Sequence, residues 1–447
     1  MKELSKPDKV LMKILSDQKL REGASYVLSQ FALTYACEGK QLLYHTMTRQ
    51  LWDLDRPMDG AIAASAIQGD EDLMTLMKGY FLVPEGKDEC AFYEGVSRML
   101  RIYHKPKGIM GYTILPTFAC NARCVYCYEE GMKQVSMTPE IAEQTVQYIL
   151  QTKGEGRIEI GWFGGEPLMG EATIDKICER LKEEGVEYGS SMITNASLLS
   201  EAVADKMAGP WKIRSVQVSM DGAEQDYIAR KCYVRYHNTY QEVMAAINRL
   251  LSRGIAVSVR CNVDEENLQG VPKFLSDLSE TITEKQKLQV YIAPLNAERM
   301  GENDVFIWEK ALELEEQIRK AGFGTVPYHG GGIRLRIHHC MADKGSVVIA
   351  PDGSLYSCEH CPEEARFGNI YDGVTDAAAK EAFCRTDRTR EKCRKCPFLP
   401  DCTSFATCPV WDTHCEETRR LKFKKSMEHM IRKKQAEEAS EENLPVC

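Results

Sequence analysis

The stretch PTFACNARCVYCYEEGM, residues 116–132, sets Cys120, Cys124 and Cys127 within eight residues of one another. Three thiols so spaced can be a structural staple, a zinc site lacking one ligand, or the holder of a metal centre left under-coordinated. Immediately before them runs GYTILPT, residues 111–117, a β-branched strand candidate. The thiols therefore fall at the carboxyl end of a strand, where reactive groups gather in parallel sheets.

Working outward, residues 108 to about 325 alternate short β-branched runs with amphipathic ones. Besides GYTILPT the strand candidates are RIEIGWFG (157–164), YGSSMITNA (188–196), SVQVSM (215–220), AVSVRCNV (256–263) and LQVYIAP (288–294). Between them, segments such as TPEIAEQTVQYILQTKG (138–154), EATIDKICERLKEEG (171–185) and TYQEVMAAINRLLSRG (239–254) begin near Thr or Glu and end at Gly, as helices do. Strand and helix repeated in this way predict an α/β parallel sheet with right-handed crossovers, open or as a partial barrel.

The flanks differ. Residues 1–106 read as a small α/β module: a charged N-terminal helix, two strands around a Gly turn within FALTYACEGKQLLYHTMTRQLWDLD (31–55), short helices through residue 86, and a joining segment, MLRIYHKPKG (99–108). Residues 107–335 are the strand–helix region, and 336–420 a cysteine-rich segment whose folding energy metal would supply. Residues 421–447 read as a charged helix and tail.

The 447 residues carry 66 acidic and 57 basic side chains, a net charge of -9, which argues against nucleic acid as a general partner. No apolar run is long enough for a membrane span, and residues 1–23 lack the apolar core of a secretory signal, so the expectation is a cytoplasmic protein without membrane partners. In that compartment 18 cysteines mean metal and buried thiols rather than disulfides. Ten of them lie at or beyond Cys340. The isolated Cys37, Cys90, Cys178, Cys232 and Cys261 read as small buried hydrophobes.

Thiolates also hold iron–sulfur clusters, and a 4Fe–4S cluster normally takes four. The spacing Cys-x3-Cys-x2-Cys, with aromatic Tyr126 before the last cysteine, closely resembles the signature of radical S-adenosylmethionine (SAM) enzymes. The resemblance implies a partial (β/α)6 TIM-like barrel and a cluster whose open iron is chelated by SAM. Reductive cleavage of SAM would then yield a 5'-deoxyadenosyl radical that abstracts hydrogen.

Further motifs extend the resemblance. Gly164, Gly165, Glu166 and Pro167 match the family's GGEP segment, whose exposed backbone and carboxylate would receive the amino group of SAM. Thr194 and Asn195 match a TNGxLL motif in which Ala196 replaces the glycine. Ser219, Asp221 and Arg230 fit SLDGxxxxHDxxR, with Tyr227 and Ile228 replacing His-Asp, and Arg260 follows on the fifth strand. On this reading Tyr126, Gly164, Gly165, Glu166, Pro167, Thr194, Asn195, Ser219, Arg230 and Arg260 are the cofactor-binding candidates. No catalytic acid or base is assigned.

In the last third, Cys340-x12-Gly353-x4-Cys358 and Cys393-x2-Cys396-x5-Cys402 closely resemble the SPASM extension of these enzymes, which holds two auxiliary 4Fe–4S clusters. By that resemblance Cys340, Cys358 and Cys408 would ligate the first, with Cys361 or Cys384 as its fourth ligand, and Cys393, Cys396, Cys402 and Cys415 the second. Cys408 departs from the pattern, since five residues separate it from Cys402. A pair of zinc knuckles is the alternative.

Enzymes of this type modify peptides. The hundred-residue preface resembles the leader-peptide-binding (RRE-like) module of maturases acting on ribosomally made peptides, of the sactipeptide and ranthipeptide type. This implies a precursor peptide substrate, an installed crosslink, foremost a thioether from Cys, and a flavodoxin- or ferredoxin-type electron donor. An anaerobic sulfatase-maturing, formylglycine-generating enzyme is the rival, and a non-catalytic zinc-binding peptide scaffold the alternative of another class.

Overall fold

The computed structural model describes residues 1–5, 9–15, 18–37, 39–55, 57–58, 60–103, 107–131, 133–234, 239–295, 304–325, 345–360, 363–384, 391–401 and 417–428. Its centre is the strand–helix region. Strands β1 (Gly111–Ile114), β2 (Ile158–Trp162), β3 (Tyr188–Thr194), β4 (Ile213–Met220), β5 (Ala256–Val263) and β6 (Leu288–Pro294) lie side by side in chain order, every neighbouring pair parallel. All six expected strands are thus present in the expected order, as a mostly parallel sheet of partial TIM-barrel type.

Helices α1 (Pro139–Thr152), α2 (Glu171–Glu183), α3 (Glu201–Ala208), α4 (Glu224–Lys231), α5 (Thr239–Ser252), α6 (Val271–Thr281) and α7 (Asp304–Lys320) supply the crossovers. Local chemistry sets their ends. Thr138 accepts from the Ile141 N–H ahead of Pro139, and Ser200 caps α3 through the Val203 N–H. Alternation along the strands does the rest: Val216, Val218 and Met220 on β4 and Val257, Val259 and Cys261 on β5 are buried in one continuous core with Ile247, Leu250 and Phe274. The intervening residues, among them Ser219 and Arg260, face the other side and are half-buried.

The sheet does not stop at the expected elements. β7 (Gly324–Thr325) pairs with β6, and β8 (Ser346–Ile349) adds parallel to the outer edge of β1. An antiparallel run of β9 (Ser354–Tyr356), β10 (Gly368–Asn369) and β11 (Gly373–Val374) follows. The cysteine-rich segment is therefore joined to the barrel by shared hydrogen bonds, which its turn-rich sequence does not announce. Gly353 makes the β8–β9 turn at φ 83°.

The N-terminal residues fold as two small antiparallel sheets with helices, one of four strands and one of three. Two expectations need correcting. Residues Lys2–Ser5 form a strand against Leu51–Leu54 rather than the start of a helix, because Leu4 and Ser5 are buried there. The helix Glu89–Tyr103 runs through the first half of the supposed joining segment.

This module docks on the C-terminal segment. Phe398 packs in a cluster with Leu4, Leu33, Leu42, Tyr44 and Leu51, joined by Phe423 and Met427 from the helix at 417–428. Leu399 enters a second cluster with Leu11, Phe31, Met47 and Tyr93. Thr46 Oγ1 donates to the Pro397 carbonyl at 2.7 Å. Among the described residues no helix is long and apolar enough to cross a membrane.

Candidate active site at the mouth of the barrel

The cysteine loop leaves β1 at its carboxyl end and is held from two sides. From one side comes the double-glycine turn after β2: Gly165 N–H donates to the Thr117 carbonyl at 3.1 Å and Glu166 N–H to the Ala119 carbonyl at 2.9 Å. A Cβ on Gly165 would lie 2.5 Å from the Phe118 and Ala119 carbonyl oxygens, and one on Gly164, at φ 127°, 2.4 Å from the Thr117 oxygen. Only glycine allows this approach. Among the described residues nothing donates to the Gly164 and Gly165 carbonyl oxygens, which leaves two acceptors beside the cysteines.

From the other side comes the end of α4. The Val125 N–H donates to the Arg230 carbonyl at 3.0 Å, and the Arg123 N–H to the Lys231 and Cys232 carbonyls at 3.0 and 3.2 Å. These are carbonyls that a helix leaves without internal partners. Here the two amides flanking Cys124 satisfy them.

Cys120, Cys124 and Cys127 are half-buried and form no disulfide. Burial pushes all three thiols up, Cys120 to about 12. Thiolates at this site thus need a cation to stabilise them. Among the described residues no group of three His, Cys, Asp or Glu side chains is arranged around a single-ion position. Three half-buried thiols on one short loop, none of them in a disulfide, suit three corners of a 4Fe–4S cluster. The vacant acceptors of Gly164 and Gly165 fit an ammonium group beside it.

Glu166 lies just beyond the double glycine. Its carboxylate is fully buried and fully engaged within the protein, accepting from Leu168 N–H (3.1 Å), Thr194 Oγ1 (2.6 Å) and Asn195 N–H (2.8 Å). Burial pushes its pKa up against the pull of these donors. It ties the ends of β2 and β3 together. Pro167 begins a short 3-10 turn under the same tie.

Thr194 and Asn195 are buried too. The Asn195 amide donates to Asn121 Oδ1 at 2.9 Å, linking the third strand to the cysteine loop. Ala196, where the family pattern has glycine, adopts φ 59°, a left-handed conformation that costs a β-carbon-bearing residue about 1–2 kcal/mol.

Tyr126 is anchored by its hydroxyl, which donates to the Asp221 carboxylate at 2.7 Å and accepts from Lys231 Nζ at 2.9 Å and Asn262 Nδ2 at 3.0 Å. Asp221 also accepts from Asn262 at 3.0 Å and is fully buried. Arg230 points elsewhere, to Asp264 at 2.6 Å and Glu266 at 3.3 Å. Counted from Asp221, the basic position of the SLDGxxxxHDxxR pattern falls on Lys231, one residue beyond Arg230. The two departures from that pattern lie off the site: Tyr227 is core, bonded to Tyr233 at 2.7 Å, and Ile228 is exposed. Ser219 and Arg260 are register partners on β4 and β5, and Arg260 Nε donates to Asn262 at 2.9 Å.

Of the auxiliary set, Cys358 follows β9, and its neighbour His360 packs on Tyr128 of the cysteine loop, ring centroids 4.1 Å apart. Cys393 and Cys396 are joined by a 3.3 Å backbone turn, and Cys384 ends the helix Ala377–Cys384. Cys340, Cys361, Cys402, Cys408 and Cys415 lie outside the described residues. Of the five isolated cysteines, Cys90, Cys178 and Cys261 are buried as expected; Cys232 is exposed, because it is the left-handed cap of α4 at φ 47°. Asn121, Lys231, Asn262, Asn267 and His360 were not singled out by the sequence. Only Asn121, inside the opening stretch, and Lys231, by pattern count, carried a signal there.

Comparison with known proteins agrees with this geometry. Residues 114–278 match the Radical SAM superfamily and residues 340–397 the SPASM iron-sulfur cluster-binding domain. The chain is 23% identical over 312 residues to a serine-type anaerobic sulfatase-maturating enzyme of Klebsiella aerogenes, covering 64% of this chain and 76% of that one. It is 25% identical over 335 residues to the radical SAM cyclopropyl synthase TigE of Paramaledivibacter caminithermalis, covering 65% and 66%. The fold superposes on anSMEcpe with bound AdoMet at a TM-score of 0.58, with 18% identity, covering 72% of this chain and 98% of that one. On Streptococcus suis SuiB bound to its precursor peptide SuiA the TM-score is 0.51, with 13% identity, covering 85% and 95%. A cysteine loop held at the barrel mouth by the backbone amides of Gly165 and Glu166 and by a helix end, with a second cysteine region on the same sheet, thus agrees with the matches: the chain carries a Radical SAM domain and a SPASM iron-sulfur cluster-binding domain, those of an enzyme that uses SAM and 4Fe–4S clusters.

Proposed function

We propose that this enzyme matures a ribosomally made precursor peptide and installs a crosslink, foremost a thioether from a Cys thiol. The observation that carries the reading is the N-terminal module. Residues 1–103 form their own sheets, which pack on Phe398 and Leu399 beside Cys396. The peptide-bound SuiB fold extends over 85% of the chain, against 72% for anSMEcpe. A module with sheet edges of its own suits a leader segment that adds as a strand.

SAM bound at the open iron supplies, on reduction by a flavodoxin- or ferredoxin-type donor, a carbon radical that removes one hydrogen atom from the substrate. The chain's residues bind and orient: Gly164 and Gly165 offer carbonyls, Glu166 and Asn121 hold β2, β3 and the cysteine loop in fixed relation, and Ser219 and Arg260 line the open face of the sheet. Closing a thioether also releases the thiol proton to solvent and one electron; Cys340, Cys358 and Cys408, with Cys361 or Cys384, would hold an auxiliary cluster able to accept that electron. Cys393, Cys396, Cys402 and Cys415 would hold the second cluster.

The test is anaerobic incubation of the reconstituted enzyme with SAM, a reductant and the peptide encoded beside its gene. The expected product is lighter by two hydrogen atoms per crosslink and has one fewer alkylatable thiol. A lighter product with every thiol still alkylatable rejects the thioether, and an aldehyde formed on a sulfatase-derived peptide favours the sulfatase-maturing activity to which the chain is also related.

A further inference from the structure

The end of α4 does more than fill space behind the cysteine loop. Lys231 is buried to 2% exposure, and its partner Asp221 is completely buried. Its ammonium donates to the Tyr126 hydroxyl at 2.9 Å and lies 3.5 Å from the Asp221 carboxylate. Asp221 is itself fixed by Tyr126, by Asn262 Nδ2 at 3.0 Å and, through its backbone carbonyl, by Asn267 Nδ2 at 2.7 Å. Four segments, at residues 126, 221, 231 and 262–267, thus meet at one buried ion pair.

Burying such a pair is expensive, and replacing it with apolar side chains of equal volume often costs nothing in stability. Stability alone gives no reason for it. Its location does: Arg230 and Lys231, whose carbonyls accept from the amides on either side of Cys124, end the helix whose Lys231 carries the buried ammonium at Tyr126. One short segment therefore sets both the path of the loop and the charge behind it.

We infer that Lys231 is the positioning residue of the SAM-binding cluster: it locks the Cys124–Cys127 loop through Tyr126 and Asp221 and places a permanent positive charge behind the cluster, favouring its reduced form. The inference concerns this cluster only and holds whichever peptide is modified.

The experiment compares the full-length, anaerobically reconstituted protein with Lys231→Met, Lys231→Arg and the double variant Lys231→Met/Asp221→Asn. Two quantities are read on the EPR signal that changes when SAM is added: the midpoint potential and the rate of iron loss to a chelator. Lys231→Met is expected to move the potential in the negative direction and to release iron from that cluster roughly 10- to 100-fold faster, the usual size of an outer-shell effect. Lys231→Arg, which keeps the charge, restores most of both. The double variant leaves no unpaired buried charge, so it folds where the single one fails, and with the loop lock gone it is expected to keep the faster iron release. A double variant with unaltered iron release overturns the inference, as does Lys231→Arg behaving like Lys231→Met. Normal SAM cleavage without peptide modification would instead count against the maturase reading and leave Lys231 untouched.

Discussion

Replacing Phe398 with Ala removes the ring by which the Cys393–Cys396 segment enters the N-terminal module. The ring is 2% exposed, lies edge-on to Phe423 at 6.0 Å between centroids, and carries the Arg420 guanidinium over its face at 5.7 Å. A buried Phe→Ala change costs about 3–5 kcal/mol. At about 1.4 kcal/mol per factor of ten, the population in which this junction is open rises by roughly two to three and a half powers of ten. Phe398 lies two residues from Cys396, so the expected result is loss of auxiliary iron to a chelator. SAM cleavage without peptide should persist, because Cys120, Cys124 and Cys127 are held by elements of a different hydrophobic core. Phe398→Leu, which refills most of the space, should behave nearly as the unaltered protein. The assay is iron quantitation and EPR before and after chelation, beside 5'-deoxyadenosine production. Auxiliary iron released from Phe398→Ala no faster than from the unaltered protein refutes the reasoning, and equal loss from both regions shows that the two cores are not independent.

Three further outcomes are expected. Gly165→Ala sets a methyl group 2.5 Å from two carbonyl oxygens of the cysteine loop; it should cost about 1–3 kcal/mol in thermal unfolding and sharply weaken SAM binding measured by calorimetry. Glu166→Gln exchanges one acceptor oxygen for a donor facing donors, at about 1.5–3 kcal/mol for a lost hydrogen bond to a charged group; an unchanged melting temperature would show that the tie is dispensable. His45 is fully buried in the N-terminal module, and burial pushes its pKa down to about 3 from the ordinary 6.5. Unfolded chains therefore bind the extra proton, and its contribution to stability is complete above pH 6.5 and falls by about 1.4 kcal/mol per pH unit below it. Denaturant titrations at two pH values check this, and a His45→Phe variant should lose that slope.

Much of this site is legible in the chain. Three cysteines after a strand and a double glycine after the next need only short-range order, and alternation of apolar residues suffices to place the six strands. The β8–β9 hairpin is less visible because its strands are four and three residues long, and their pairing with β1 lies more than two hundred residues away. The roles within the motifs are less visible still. Glu166 matches a cofactor-facing pattern, and only the fold shows that its carboxylate also ties β2 to β3 through Thr194 and Asn195.

What the sequence determined by itself was the class of chemistry: thiol spacing, strand order and the two cysteine regions are local or periodic features that composition and pattern carry. Only the tertiary structure decided which polar side chains face the site and which support it. Tyr126, Asp221, Lys231 and Asn262 stand on four different segments, and the choice between Arg230 and Lys231 turns on one residue of helical rotation. A buried charge is tolerated only where its partners converge in space, and that convergence depends on how the strands and helices pack rather than on any one segment.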